Sequence, residues 1–463
     1  MVVQVAERTH TLTESLNEAP LGVFHFRALL TAGMGFFTDA YDLFIIGTAL
    51  VLIKQVWHPL AWQLGLVTST ALIAAFVGAF VFGRLADLYG RKRVYGIEAA
   101  LMAVAAILSA FSPNIMWLIV FRFILGIGIG GDYPVSAVLM SEYANTKDRG
   151  KLVGGVFSMQ AAGLVAGPVV ALVILATGAN PDIAWRLMLG LGAIPALAVI
   201  YLRRKMPESP RYLSRVKGET AQAARQTAEY SHEAVVASGA QETRVKARLS
   251  RYALTLLGTA GTWFVFDYAY YGNSISTPLI LKMVAPAATT MTSVAWTLII
   301  FAVAAVPGYI LAFSTMDRIG HRRLQLIGFS VMGLAFLALG VVPNLTHVLV
   351  PFLLVYGLSY FFAEFGPNTT TFVLSAELYP VNLRTTGHGM SAGIAKVGAF
   401  IGVFVFPILA ATFGLSGTLT ITFVFAMAGI GLTLLLPEPA GRSLEEISGE
   451  DIGGPPARAR GVS

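Results

Sequence analysis

The sequence predicts an all-α polytopic membrane protein, with twelve transmembrane helices arranged as two six-helix repeats. Three observations predict it. Of the 463 residues, 56% are hydrophobic and 12% charged, about half of the roughly 25% charged fraction with which a soluble domain coats its surface. Apolar runs of the roughly 20 residues that a spanning helix needs recur along the chain. A charged loop also recurs at matching places. Glu142 and Arg149 return as Glu377 and Arg384 at one common offset, and Asp87 and Gly90 return as Asp317 and Gly320 at a second. Pro207-Glu208 returns as Pro437-Glu438, again at the second offset.

The spans fall at 27–53, 64–88, 94–112, 114–141, 150–178, 184–204, 252–281, 292–316, 324–342, 347–376, 386–413 and 415–436. Segment 1–26 carries Glu7, Arg8, Glu14 and Glu18 and no apolar core, which argues against a cleaved signal peptide and makes the first span its own targeting signal. The N-terminal half is 27–204 and the C-terminal half 252–436. Between them, 205–251 is polar and reads as a solvated linker; 437–463 is a tail. Arg84, Arg91, Lys92, Arg93, Lys147, Arg149, Lys151, Arg318, Arg322, Arg323 and Arg384 collect in alternate loops, and the loops between them are almost bare of Lys and Arg. That asymmetry predicts a multi-pass plasma (cell inner) membrane protein with the basic loops, the linker and both termini cytoplasmic. It also assigns the net charge of +7 to topology rather than to nucleic acid. There is no cysteine, hence no disulfide or thiolate chemistry. No metal-ligand cluster and no nucleophile–base pair stands out, so the expectation is no enzyme, metal, cofactor or obligate protein partner.

The chain is organised around Arg122 to Gly150, RFILGIGIGGDYPVSAVLMSEYANTKDRG. Glycines thin the helix wall, and Asp132, Tyr133 and Pro134 follow within an apolar run. An acid there costs about 2.5–3.5 kcal/mol to insert and must face protein or water. Trp263, Asp267 and Tyr271 stand at i, i+4 and i+8, on one helix face. Tyr133 and Asn368 share the offset that separates Glu142 from Glu377. They hold the same place in the two repeats, so they approach the centre from opposite sides. Repeated halves set a substrate site near the midplane between them. With Gln160 and Lys396 these residues make a set of hydrogen-bond donors with one cation and one acid, suited to a small, oxygen-rich anion. Asp39 and Asp42, at i and i+3 on the first span, face one way and are placed to carry protons.

GRLADLYGRKRV (83–94) and its weaker copy at 316–323 resemble the loop motif of the major facilitator superfamily. PESPRYL (207–213) and PEPAGRSLEEI (437–447) are similar to its sugar-porter branch. GFFTDAYDLF (35–44), GGDYPVSAVLMSEYANTKDRG (130–150) and FGPNTTTFVLSAELYPVNLRTTGHGMSA (365–392) resemble its phosphate:proton symporters.

The resemblance implies that Tyr133, Gln160, Trp263, Asp267, Tyr271 and Asn368 bind phosphate, that Lys396 lies near the anion, and that Asp39, Asp42 and Asp132 lie on the proton path. Asp87, Arg91, Glu142, Arg149, Asp317, Arg318, Glu377 and Arg384 are expected to act as conformational latches. The expected partners are inorganic phosphate, protons and the lipid bilayer. A carboxylate at 267 suits an anion that brings its own proton; sulfate brings none and would leave a buried charge unpaired. The chain departs from the family at Glu364, where asparagine is usual. Other readings stay open: a proton-coupled carrier of another small anion or a sugar on the same scaffold, a phosphate sensor without net transport, Trp263 and Tyr271 as interfacial anchors, and Asp132 as a packing partner only.

Overall fold

The structure, a computed structural model, describes residues 12–231 and 245–450; parts of the expected terminal segment, linker and tail lie outside the described residues. Every regular element among the described residues is helical. The spans are α1 (Val23–Trp57), α2 (Trp62–Tyr89), α3 (Arg91–Ala110), α4 (Ile115–Tyr143), α5 (Arg149–Ala176) and α6 (Pro181–Arg203), then α7 (Ala253–Ile275), α8 (Thr290–Ile319), α9 (His321–Val341) and α10 (Leu349–Glu377). The 50-residue helix Arg384–Thr433 turns at Gly414, where φ is 69° and ψ 177°, and so supplies two spans, α11 before the turn and α12 after it. Ten of these helices are long and apolar enough to cross a membrane as they stand. Helix α7 is more polar because it carries Trp263, Asp267, Tyr270, Tyr271 and Asn273.

Helix starts on the face away from the basic loops are set locally. The Asn114 side chain accepts from the backbone N–H groups of Met116 and Trp117, and that of Asn180 from Asp182, with Pro181 at the first helical position. Each satisfies donors that a helix N-terminus leaves open.

On the basic-loop face the repeated motifs meet. Gly90 and Gly320 turn the chain from α2 to α3 and from α8 to α9, at φ of 102° and 97°. The Glu208 carboxylate then accepts from the N–H groups of Arg91 and Lys92, and Glu438 does the same for His321 and Arg322. The recurrence of Pro-Glu in the sequence is thus the recurrence of one cap. A side chain at Gly90 would collide with Glu208 Oε2, so both the backbone conformation and the cap exclude one.

The same face joins the two halves. Arg384 reaches Glu142 at 3.1 Å, and Glu142 also holds Arg91 at 3.0 Å. Arg149 pairs with Glu377 at 2.9 Å. Asp87 accepts from the Thr386 N–H at 2.7 Å, and Asp317 from the N–H groups of Gly150 and Lys151 at 3.0 and 2.7 Å. This face is closed. Arg318 differs from expectation: its side chain is exposed and takes no part in this network, because it points away from the helix face that carries Asp317. The start of the linker also differs from a solvated tether. Arg211 is buried, donating to Asn17 Oδ1 at 2.7 Å and to the Glu142 carbonyl and pairing with Glu445 at 2.9 Å. Burial opposes the charge of Glu445, but the guanidiniums of Arg211, Arg384 and Arg215 outweigh it and hold this carboxyl down at about 2, against an ordinary 4.5.

Two outcomes follow. Gly90→Ala should lower the apparent thermal midpoint in detergent, by the equivalent of about 1–3 kcal/mol for a side chain forced into this backbone region. Gly431→Ala, whose added methyl would meet nothing within 4 Å, should leave it unchanged. Because the folded-state pKa of Glu445 is depressed, its stabilising contribution is full above pH 4.5 and fades as pH falls towards 2. Glu445→Gln should therefore be less stable than wild type at neutral pH, by up to roughly 3 kcal/mol, with the gap narrowing in acid denaturation series.

Candidate functional site

Where α4 and α5 of one half meet α7, α8, α10 and α11 of the other, nine buried polar side chains converge. Lys396 on α11, 1% exposed, donates to Asp267 Oδ2 at 2.9 Å and to the Tyr271 hydroxyl at 3.2 Å. Its ammonium also sits 4.6 Å from the ring centre of Tyr133 and 4.4 Å from that of Tyr271, a geometry in which ring faces attract a cation. From Tyr133 a hydrogen-bond chain crosses to the other half. Gln160 Nε2 donates to the Tyr133 hydroxyl at 3.2 Å, the Tyr309 hydroxyl donates to Gln160 Oε1 at 3.2 Å, and Asn368 Nδ2 donates to Tyr309 at 2.8 Å and to Glu364 Oε2 at 2.5 Å. Trp263 lies against Tyr133, ring centres 5.9 Å apart, and stacks on His388.

Local chemistry places these groups. The i, i+4, i+8 spacing on α7 turns Trp263, Asp267 and Tyr271 towards one side, where α11 brings Lys396. Helix α10 contains a π turn, Glu364–Asn368, with Pro367 inside it and a non-helical Gly366 (φ −110°, ψ −108°). Proline has no N–H to donate, which frees carbonyls; the hydroxyls of Thr369, Thr370 and Thr371 donate to those of Glu364, Gly366 and Pro367. The threonine hydroxyls thus add side-chain bonds to carbonyls within the π turn that carries Glu364 and Asn368, and π turns recur at functional positions.

All seven residues expected to bind substrate are therefore brought together. The expected proton-path acids are not all there. Asp132 lies in a separate buried cluster, where Arg203 holds it at 2.6 Å and Glu98 at 2.8 Å, with the guanidinium 4.2 Å from the ring centre of Tyr95. Asp39 is fully buried between that cluster and Lys396, and neither of its carboxyl oxygens has a hydrogen-bond partner among the described residues. Asp42 faces the backbone of α6 at Gly192, with Arg122 as its charged neighbour. The sequence reading did not anticipate Tyr309, Glu98 and Arg203. Tyr309 and Glu98 were detectable as polar residues inside apolar runs. Arg203 stands at the end of the sixth expected span, a place where charge usually marks the surface.

A cavity of about 560 Å³ opens on the face away from the basic loops, with Lys54 and Lys282 among its walls. Its floor is reached at Gly47 and Ile275. One turn further in, Phe44 stacks on Tyr271 (6.1 Å, 22°) and meets Phe301 edge-on at 5.8 Å. This aromatic layer separates the cavity from Lys396 and Asp267.

The sugar (and other) transporter family matches residues 28–450. A probable inorganic phosphate transporter 1-6 of Arabidopsis thaliana is 35% identical over 96% of this chain and 97% of its own length. A low affinity inorganic phosphate transporter 1 of Petunia hybrida is 37% identical over 96% of this chain and 97% of its own length. Among solved structures, the proton:xylose symporter XylE with bound 6-bromo-6-deoxy-D-glucose superposes with a TM-score of 0.77 at 22% identity, over 91% of this chain and 98% of that one, a likeness that shows the shared fold. On the family match and on this extent of identity, the chain belongs to the sugar (and other) transporter family of the major facilitator superfamily, within the group that holds the inorganic phosphate transporters.

Proposed function

We propose that the protein imports inorganic phosphate together with protons by alternating access. The observation that carries this is the buried Lys396–Asp267 pair, ringed by hydroxyl and amide groups from both halves, in a chain whose relatives are named inorganic phosphate transporters. With the basic loops cytoplasmic, the face closed by Arg149–Glu377 and Arg384–Glu142 is the inner one and the 560 Å³ cavity is the outer vestibule. Lys54 and Lys282 give it a positive field that draws in anions.

In the empty site Asp267 neutralises Lys396. A proton on Asp267 dissolves that pair and leaves the ammonium for the anion, whose oxygens take hydrogen bonds from Tyr133, Gln160, Tyr271, Asn368 and the Trp263 N–H. Asp39, with no partner for either oxygen among the described residues, is the second proton carrier. Asp132, tied to Arg203, holds α4 and α6 in place beside it, and Asp42 works on the vestibule side. The membrane potential opposes anion entry by about 2.3 kcal/mol per charge per 100 mV, so protons in excess of the anion's charge turn that field into a driving force. Asp87, Arg91, Glu142, Arg149, Asp317, Glu377 and Arg384 act as the inner latch.

Uptake of labelled phosphate into proteoliposomes under an inside-alkaline gradient tests the proposal. The expected result is accumulation that collapses with a protonophore, ignores sulfate and glucose, and is lost in Asp267→Asn. Folded wild-type protein that moves no phosphate would overturn it. Lys396→Gln should weaken phosphate binding about thirtyfold or more, as removal of one partner of a buried, hydrogen-bonded charge pair costs about 2 kcal/mol or more. For the latch, the double variant Arg149→Ala/Arg384→Ala should lengthen distances between spin labels across the basic-loop face; the natural lack of cysteine makes the labelling direct. Unchanged distances would remove the latch assignment.

A further inference from the structure

Glu364 is fully buried in the π turn of α10 and forms no ion pair among the described residues. The groups that face it are Tyr270 and Tyr271 from α7, Tyr309 from α8, and Tyr360 and Asn368 from α10. The titratable residues of α9 are His321, Arg322 and Arg323, all at its basic-face end, with His321 paired to Glu377. One carboxyl oxygen of Glu364 takes the Asn368 Nδ2 hydrogen bond, and the hydroxyls of Tyr270 and Tyr309 stand beside the carboxylate. The second Asn368 N–H goes to Tyr309. Both donors of this amide are thus already taken. Only its oxygen remains, an acceptor where phosphate needs a donor.

A proton on Glu364 inverts this arrangement. The acid then carries an O–H, which donates to Asn368 Oδ1 once the amide turns over. The Tyr309 hydroxyl, a free rotor, donates to the same oxygen and releases Gln160. The Asn368 Nδ2 hydrogens are then released from Tyr309 and Glu364 and free for the anion. We infer that Glu364 is a positioning residue whose protonation turns the Asn368 amide from acceptor to donor and so makes phosphate affinity depend on a proton bound beside it. The inference rests on the proposed phosphate site. Two ligands that each favour the same arrangement strengthen one another's binding by the same factor, so this device couples proton to anion through one side chain.

The test is equilibrium binding of labelled inorganic phosphate to the purified full chain between about pH 5.5 and about pH 8, where one linked proton changes affinity by at most about tenfold per pH unit. Glu364→Gln keeps a donor for Asn368 Oδ1 without a titratable group. It should bind phosphate at the upper pH at least as well as wild type, and its affinity should fall less steeply with pH, by up to the slope of one proton. Comparison at equal pH cancels the titration of phosphate and of Asp267. Asn368→Ala should flatten the profile equally, and adding Glu364→Gln to it should change nothing further. A wild-type slope in Glu364→Gln, or separate additive effects of the two substitutions, would overturn the inference while leaving the phosphate site standing. Wild-type protein that binds no phosphate at any pH would overturn both.

Discussion

A charge inside the bilayer has no water to solvate it, and an unpaired one costs several kcal/mol. Buried ionic contacts among the described residues answer that constraint, and two kinds of them bear on how the halves can move. One class lies within a half. Arg203 gathers Asp132 and Glu98 from α4 and α3, and Lys396 ties α11 to Asp267 on α7. The other class crosses between halves and lies at the basic-loop face: Arg149 with Glu377, Arg384 with Glu142, and Asp87 and Asp317 with backbone N–H groups of the opposite half. The division has a physical logic. A pair deep in the membrane cannot be broken without stranding a charge, so it belongs inside a unit that moves as a body. A pair near the surface can be broken because water replaces the lost partner.

The deep pair at the centre is the one the proposed transport cycle would use. Lys396 and Asp267 neutralise one another, and in the proposed cycle an arriving proton and an arriving anion do the same job in their place. Neither could come alone without leaving a buried charge. On that proposal the coupling of proton to anion follows from the desolvation cost itself, and the surrounding hydroxyl and amide groups offer hydrogen bonds suited to oxygen-rich ligands.

The two repeats use one set of devices twice. Gly90 with Glu208 and Gly320 with Glu438 are the same turn and the same cap, and the Asp87 and Asp317 carboxylates each accept backbone N–H groups of the other half. Symmetry ends at the site. Tyr133 and Asn368 occupy matching places, yet one is in a regular helix and the other in a π turn. The Lys396–Asp267 pair lies in the C-terminal half, and the Arg203 cluster in the N-terminal half.

Much was legible in the chain alone. Apolar length determined twelve spans, because a bilayer imposes its thickness on any sequence that crosses it, and loop charge gave the orientation expected for them. The constant offsets between repeated motifs determined the duplication, and helical periodicity put Trp263, Asp267 and Tyr271 on one face. Tertiary structure alone decided which partner each charge takes, since a buried ion pairs with whatever lies nearest across a helix interface, irrespective of distance along the chain. It turned Arg203 inward to Asp132, when its place at a span's end marked it for the surface. It buried Arg211 of the expected tether against Glu445, and it left Arg318 exposed beside a paired Asp317. The i, i+4 spacing sets Glu364 and Asn368 on one helix face, but only the packing around α10 leaves that buried carboxylate without an ion pair among the described residues.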